Sequence, residues 1–174
     1  HPRDRRQRQM CIRDSPMAVL TQGRSEDFRK HFCGTHFFNP PRYLQLLEII
    51  PGPDTLSEVL DFFVAYGEQI LGKESVICKD TPAFIANRVG VFAIQALFHA
   101  VEDMGLSVEA VDKLTGPAMG RPKSATFRTC DVVGLDTLVH VAKGVADNCP
   151  DDERSEVFVT PSYVQYLVDH AWLG

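Results

Sequence analysis

Between residues 31 and 78 the apolar side chains gather into short runs closed by turn residues, whereas beyond residue 80 they recur at helical spacing. The runs "HFCGTHFF" (31–38) and "YLQLLEII" (43–50) have the length of strands. Asn39-Pro40-Pro41 ends the first and Pro51-Gly52-Pro53 the second. Two short buried strands joined by a proline turn are predicted, preceded by the polar "SEDFRK" (25–30) as the end of a surface helix. In "DTLSEVLDFFVAYGEQILGK" (54–73), Leu56, Val59, Leu60, Phe63, Val64, Ile70 and Leu71 fall on one helical face. Thr55 and Glu58 have capping-box spacing, and Gly72 stands where a C-terminal cap belongs. "ESVIC" (74–78) follows as a third strand, so strand, helix, strand predicts a parallel α/β unit.

After Asp80 the pattern changes. "TPAFIANRVGVFAIQALFHAVEDMG" (81–105) offers Thr81 as N-cap, Pro82 at the first helical position, an apolar stripe from Phe84 to Met104, and Gly105 as the stop. Ser107 to Leu114, Val132 to Ala146 and Ser162 to Trp172 also have helical patterns, and no strand is predicted among them. The expected division is unstructured sequence over 1–16, an α/β piece over 17–80 and a helical domain over 81–174.

Composition narrows the function classes. With 174 residues and 44% hydrophobic content the chain can build one ordinary core or two small ones. No apolar run approaches the roughly 18 residues of a membrane span, so a soluble protein is expected. A net charge of -5 argues against a general nucleic-acid binder. The five cysteines, Cys11, Cys33, Cys78, Cys130 and Cys149, form no metal-binding or redox pair, which suits free thiols in a reducing compartment. The opening "HPRDRRQRQMCIRDS" holds five arginines in its first thirteen residues and little to bury, and is expected to lie outside the fold.

Chemistry concentrates at few positions. His36 and Glu48 sit near the ends of the first two predicted strands, twelve residues apart, so neighbouring strands would let them meet. A carboxylate on one nitrogen of an imidazole fixes its tautomer, which is what proton transfer to or from a hydroxyl requires. Glu48 within "LLEII" is costly to bury unless paired. The competing reading is a structural histidine and an edge-strand glutamate. Asn87, early in the long helix beside Arg88, points toward a ligand oxygen in one reading and to solvent in the other. His31, His99, His140 and His170 have no partner at metal or triad spacing. None of the twelve glycines forms G-x-G-x-x-G or a phosphate-binding loop.

Three stretches together, "GTHFFNPPRYLQLLEIIPGPDT" (34–55), "GKESVICKDTPAFIANRVG" (72–90) and "EDMGLSVEAVDKLTGPAMGRPKSATFRTCDVVGLDT" (102–137), resemble the NAD-dependent L-3-hydroxyacyl-CoA dehydrogenases of fatty-acid β-oxidation. The likeness is strongest to the dehydrogenase part of bacterial multifunctional β-oxidation proteins and extends from about Leu20 to Gly174. It implies the C-terminal half of a Rossmann-type NAD domain, followed by an all-α domain that closes over a 3-hydroxyacyl-CoA and dimerises. By motif, His36 corresponds to the general base, Glu48 to the residue that orients it, Asn87 to the contact with the reacting substrate oxygen, and Asn39 to a residue near the nicotinamide. The family's glycine-rich turn, ribose-binding acid and "SNTS"-like segment have no counterpart before Ser25, and its "GxKxGxGFY"-like segment none after "AWLG". A fragment inactive by itself is therefore expected, from a cytoplasmic homodimer or a multifunctional β-oxidation protein. Two rivals stay open on the sequence: a related dehydrogenase acting on a free hydroxy acid, and a non-catalytic helical dimerisation module.

Overall fold

The computed structural model describes residues 16–173. The arginine-rich opening, Cys11 included, lies outside the described residues. The chain divides into two units at the bond between Ile85 and Ala86.

The first unit opens with the short helices α1 (Met17–Leu20) and α2 (Glu26–Lys30). Ser25 caps α2 by accepting the N–H of Phe28, so "SEDFRK" is a complete single-turn helix rather than the end of a longer one. Strand β1 (Cys33–Phe37) pairs antiparallel with β2 (Leu46–Pro51), and β2 pairs parallel with β3 (Glu74–Ile77). Between β2 and β3 run the helix α3 (Ser57–Ala65) and a π-helical turn (Tyr66–Ile70). The predicted strand, helix, strand unit is thus present, with β2 at the centre of the sheet.

Burial follows that order. Leu47, Ile49 and Ile50 of β2 are buried, each burial contributing about 1.5–3 kcal/mol. β1 differs from the expected buried strand, since Thr35 and Phe37 are exposed; among the described residues it is an edge, paired with β2. Gly67 is required where the π-helical turn crosses the sheet, because a Cβ there would lie 2.4 Å from Ser75 Oγ and 3.0 Å from Leu47 Cδ2. Gly72 turns the chain back with a φ of +63°, in the role the pattern predicted.

The capping box does not form. Leu56 occupies the N-cap of α3, while the Thr55 hydroxyl donates to the Phe32 carbonyl at 2.6 Å and accepts the Gly52 N–H at 2.7 Å. A tertiary contact 23 residues away outcompetes the local one.

The second unit is helical: α4 (Ala86–Met104), α5 (Val108–Thr115), α6 (Phe127–Val133), α7 (Leu135–Asn148) and α8 (Ser162–Asp169), with 3-10 turns at Pro117–Met119 and Ser155–Phe158. α4 starts four residues later than Thr81 and Pro82 suggest. Ala83 and Phe84 instead take left-handed backbone angles, φ 61° and 50°, at a cost of about 1–2 kcal/mol each for residues with a Cβ. Phe98 is the hub of this core, in a cluster with Cys130, Leu135, Leu138 and Val164. Its ring stacks on Phe127 at 5.3 Å and meets the edge of Tyr163 at 6.3 Å. α6 has no counterpart in the sequence reading, which ran one helix from Val132 through Gly134. The observed φ of 97° at Gly134 separates α6 from α7.

Candidate active site

The hairpin of β1 and β2 sets His36 directly opposite Glu48, and opposed residues on paired strands leave the sheet on the same face. His36 Nδ1 lies 2.7 Å from Glu48 Oε2. The Glu48 side chain is 1% exposed, a position that strongly disfavours a carboxylate unless it is hydrogen-bonded. Its second oxygen, Oε1, accepts the backbone N–H of Ile85 at 3.0 Å.

The pairing decides which nitrogen is reactive. An ionised carboxylate only accepts, so the proton of the neutral imidazole belongs on Nδ1 and the lone pair on Nε2. The His36 side chain is 21% exposed, enough for the ring to reach solvent. Phe38 packs edge-on to it at 4.7 Å and Phe84 lies tilted against it at 5.5 Å. A carboxylate in the wall of a sheet therefore aims a histidine that two aromatic rings hold in plane.

Asn39 follows in the loop between β1 and β2, exposed, at a cis bond to Pro40. Lys73 secures this loop by donating from Nζ to the carbonyls of Pro41 and of Leu44. Asn87 is the second residue of α4, half-buried, in the helical unit. Its neighbour Arg88 pairs with Asp152 within that unit. Of the four residues singled out from sequence, His36 and Glu48 are in direct contact, while Asn39 and Asn87 stand on the loop and the helix that the motifs assign to them.

Alternatives at this place are limited. Burial pushes the Cys33 thiol of β1 up from its ordinary value, which keeps it protonated and weakly nucleophilic at neutral pH. Among the described residues no group of three or more His, Cys, Asp or Glu side chains is disposed to hold a metal ion. No helix among them is long and apolar enough to cross a membrane.

Residues 15–81 match the NAD binding domain of 3-hydroxyacyl-CoA dehydrogenase, and residues 84–173 match its C-terminal domain. The chain belongs to the 3-hydroxyacyl-CoA dehydrogenase family. A probable 3-hydroxyacyl-CoA dehydrogenase of Bacillus subtilis is 52% identical over 155 residues, 89% of this chain and 20% of the relative. One from Deinococcus radiodurans is 51% identical over 138 residues, 79% of this chain and 40% of the relative. The crystal structure of (S)-3-hydroxybutyryl-CoA dehydrogenase from Ralstonia eutropha superposes with a TM-score of 0.78 at 25% identity, covering 92% of this chain and 54% of that one. The chain thus spans a fifth to two fifths of the length of these two curated relatives. Within the family, the sheet-bearing unit corresponds to the NAD binding domain and the helical unit to the C-terminal domain, as the sequence led us to expect.

Two features of the site escaped sequence reasoning. The Ile85 N–H belongs to a residue 37 positions from Glu48, and a backbone donor carries no side-chain signature. Phe84 was counted as part of a helical stripe, because nothing local marks its left-handed backbone.

Proposed function

We propose that the full-length protein oxidises L-3-hydroxyacyl-CoA to 3-oxoacyl-CoA with NAD, as a step of fatty-acid β-oxidation, and that His36 is its general base. The 2.7 Å contact between His36 Nδ1 and Glu48 Oε2 carries this reading, because it leaves Nε2 as the proton acceptor of a side chain that is 21% exposed. Oxidation of a secondary alcohol removes a proton from the hydroxyl and a hydride from its carbon. NAD, when bound, supplies the carbon that takes the hydride. The exposed Asn39 amide, three residues after His36, can both donate and accept, and so fits the carboxamide of a nicotinamide.

The remaining steps fall to this chain. His36 Nε2 takes the hydroxyl proton as negative charge builds on the oxygen, and Glu48 stabilises the imidazolium that results. Since Glu48 is held by two hydrogen bonds, it does not reorganise during the transfer. Asn87 is assigned to donate to the same substrate oxygen, which lowers the barrier by meeting its developing charge. In the reverse reaction the imidazolium returns the proton.

A CoA ester is preferred over a free hydroxy acid on the strength of the family. We further read the protein as cytoplasmic and as a homodimer, or as one part of a multifunctional β-oxidation protein. NADH formation from 3-hydroxybutyryl-CoA and from free 3-hydroxybutyrate by the full-length protein tests the substrate class. Turnover of the thioester alone is expected; comparable turnover of the free acid would shift the reading to a hydroxy-acid dehydrogenase.

A further inference from the structure

We infer that the exposed apolar stripe of Phe62, Tyr66 and Ile70 is a docking surface for another domain of the same full-length polypeptide, one that presents apolar side chains bordered by Lys or Arg. This rests on the reading of the chain as one part of a multifunctional protein, and does not depend on the His36 and Glu48 pair.

Three observations carry it. First, the stripe is continuous. Phe62 and Tyr66 lie one turn apart along α3 and its π-helical continuation, with their rings stacked at 6.0 Å and 12°, and Phe62 meets Phe63 edge-on at 5.3 Å. The Leu71 N–H bonds to the Tyr66 carbonyl, the i to i+5 closure of a π turn. That wider turn keeps Ile70 and Leu71 beside Tyr66, whereas an α-helical turn would rotate Leu71 away from this face. Phe62 is 61% exposed and Ile70 68%. A contiguous exposed apolar patch marks an interaction site, and aromatic residues are enriched at the centre of interfaces.

Second, the stripe turns away from its own domain. Gly67 marks the side of the turn that meets the sheet, against Leu47 and Ser75, and Phe62, five residues earlier, falls largely on the opposite side. In a layered α/β domain the helices form the outer layer, so whatever covers their outward side belongs to another domain. The chain spans 20% of the length of the Bacillus subtilis relative, and a polypeptide of that length holds further domains.

Third, the border is acidic. Glu58, Asp61 and Glu68 are exposed on the same helix and turn, and among the described residues their carboxylates enter no ion pair. Two-fold pairing with a second copy would set this border against itself. Like charges therefore oppose self-association here, and a surface carrying Lys or Arg is the complementary one.

Purified full-length protein with p-benzoylphenylalanine in place of Phe62, irradiated and mapped by peptide mass spectrometry, provides the test. The expected product is a cross-link within one polypeptide, to a peptide outside both the NAD binding domain and the C-terminal domain. Adding Glu58→Lys, Asp61→Lys and Glu68→Lys should lower its yield severalfold, with the circular dichroism spectrum unchanged. An undiminished yield overturns the basic border assigned to the docked domain. A cross-link between two copies, one confined to the two dehydrogenase domains, or none at all overturns the inference and leaves the multifunctional reading standing. A full-length polypeptide without any further domain would overturn both.

Discussion

The two units bury polar groups in opposite ways. In the sheet-bearing unit the buried Glu48 carboxylate takes an N–H from Ile85 and spends its other oxygen on a histidine that reaches solvent. In the helical unit the Asp112 carboxylate, on α5, accepts the N–H groups of Thr126, Phe127 and Arg128 at the start of α6. There Gln95, wholly buried, donates to Thr160, and Tyr163 donates to the Phe98 carbonyl. One arrangement leads to a basic nitrogen on a partly exposed ring. The others end on backbone groups or on neutral hydroxyls and tie helices to neighbouring helices or to the segment before α8. Buried polarity marks chemistry where its chain of hydrogen bonds terminates on an exposed titratable group, and marks architecture where it closes on itself.

Substitutions that separate activity from stability sharpen that contrast. The largest effect is expected at Phe98→Ala, which empties the centre of the helical core and should lower unfolding free energy by about 3–5 kcal/mol. Denaturant titration reads it, and His36 should keep its tautomer in the folded fraction. Next comes Glu48→Gln in the full-length enzyme, with kcat falling about 10- to 100-fold and KM for the acyl-CoA nearly constant. A KM effect larger than the kcat effect would place Glu48 in substrate binding instead. Asp112→Ala should leave kcat unchanged and destabilise by about 1–2 kcal/mol, the range for loss of a helix cap. Lost turnover in that variant would break the division between the two kinds of hydrogen-bonded carboxylate.

A pH dependence separates the two units as well. Burial raises the Cys130 thiol from 9.0 and the Tyr163 phenol from 10.0, each to about 12. The folded state therefore holds protons that the unfolded state releases, and the stability they sustain is full below about pH 9. It falls as pH rises from there toward 12. Thermal melts between pH 8 and pH 11 should show this decline, and a Cys130→Ala, Tyr163→Phe double variant should flatten it.

How far the sequence could be read depended on the distance between the groups involved. The hairpin, the crossover and the His36 and Glu48 pair were legible because a separation of twelve residues across two adjacent strands leaves few registers. The loop between those strands proved longer than a proline turn, spanning residues 38–45, because Lys73 reaches over to hold its carbonyls. The misplaced start of α4 has the same origin. Thr81 and Pro82 are good local signals, but the Ile85 N–H is claimed by Glu48 and the Phe84 ring by the core of the sheet-bearing unit. Thr55 shows it again, its hydroxyl drawn from α3 to Phe32. α6 was illegible because only Cys130 among its seven residues is buried, too little for a periodic signal.

The role proposed for His36 is to take the hydroxyl proton. The most direct measurement is kcat for NADH formation from 3-hydroxybutyryl-CoA by the full-length enzyme and its His36→Gln variant, at saturating NAD. Loss of a general base predicts a fall of about 10²- to 10⁴-fold, with KM for the thioester within a few-fold of the original. Turnover equal to that of the unsubstituted enzyme would contradict the assignment.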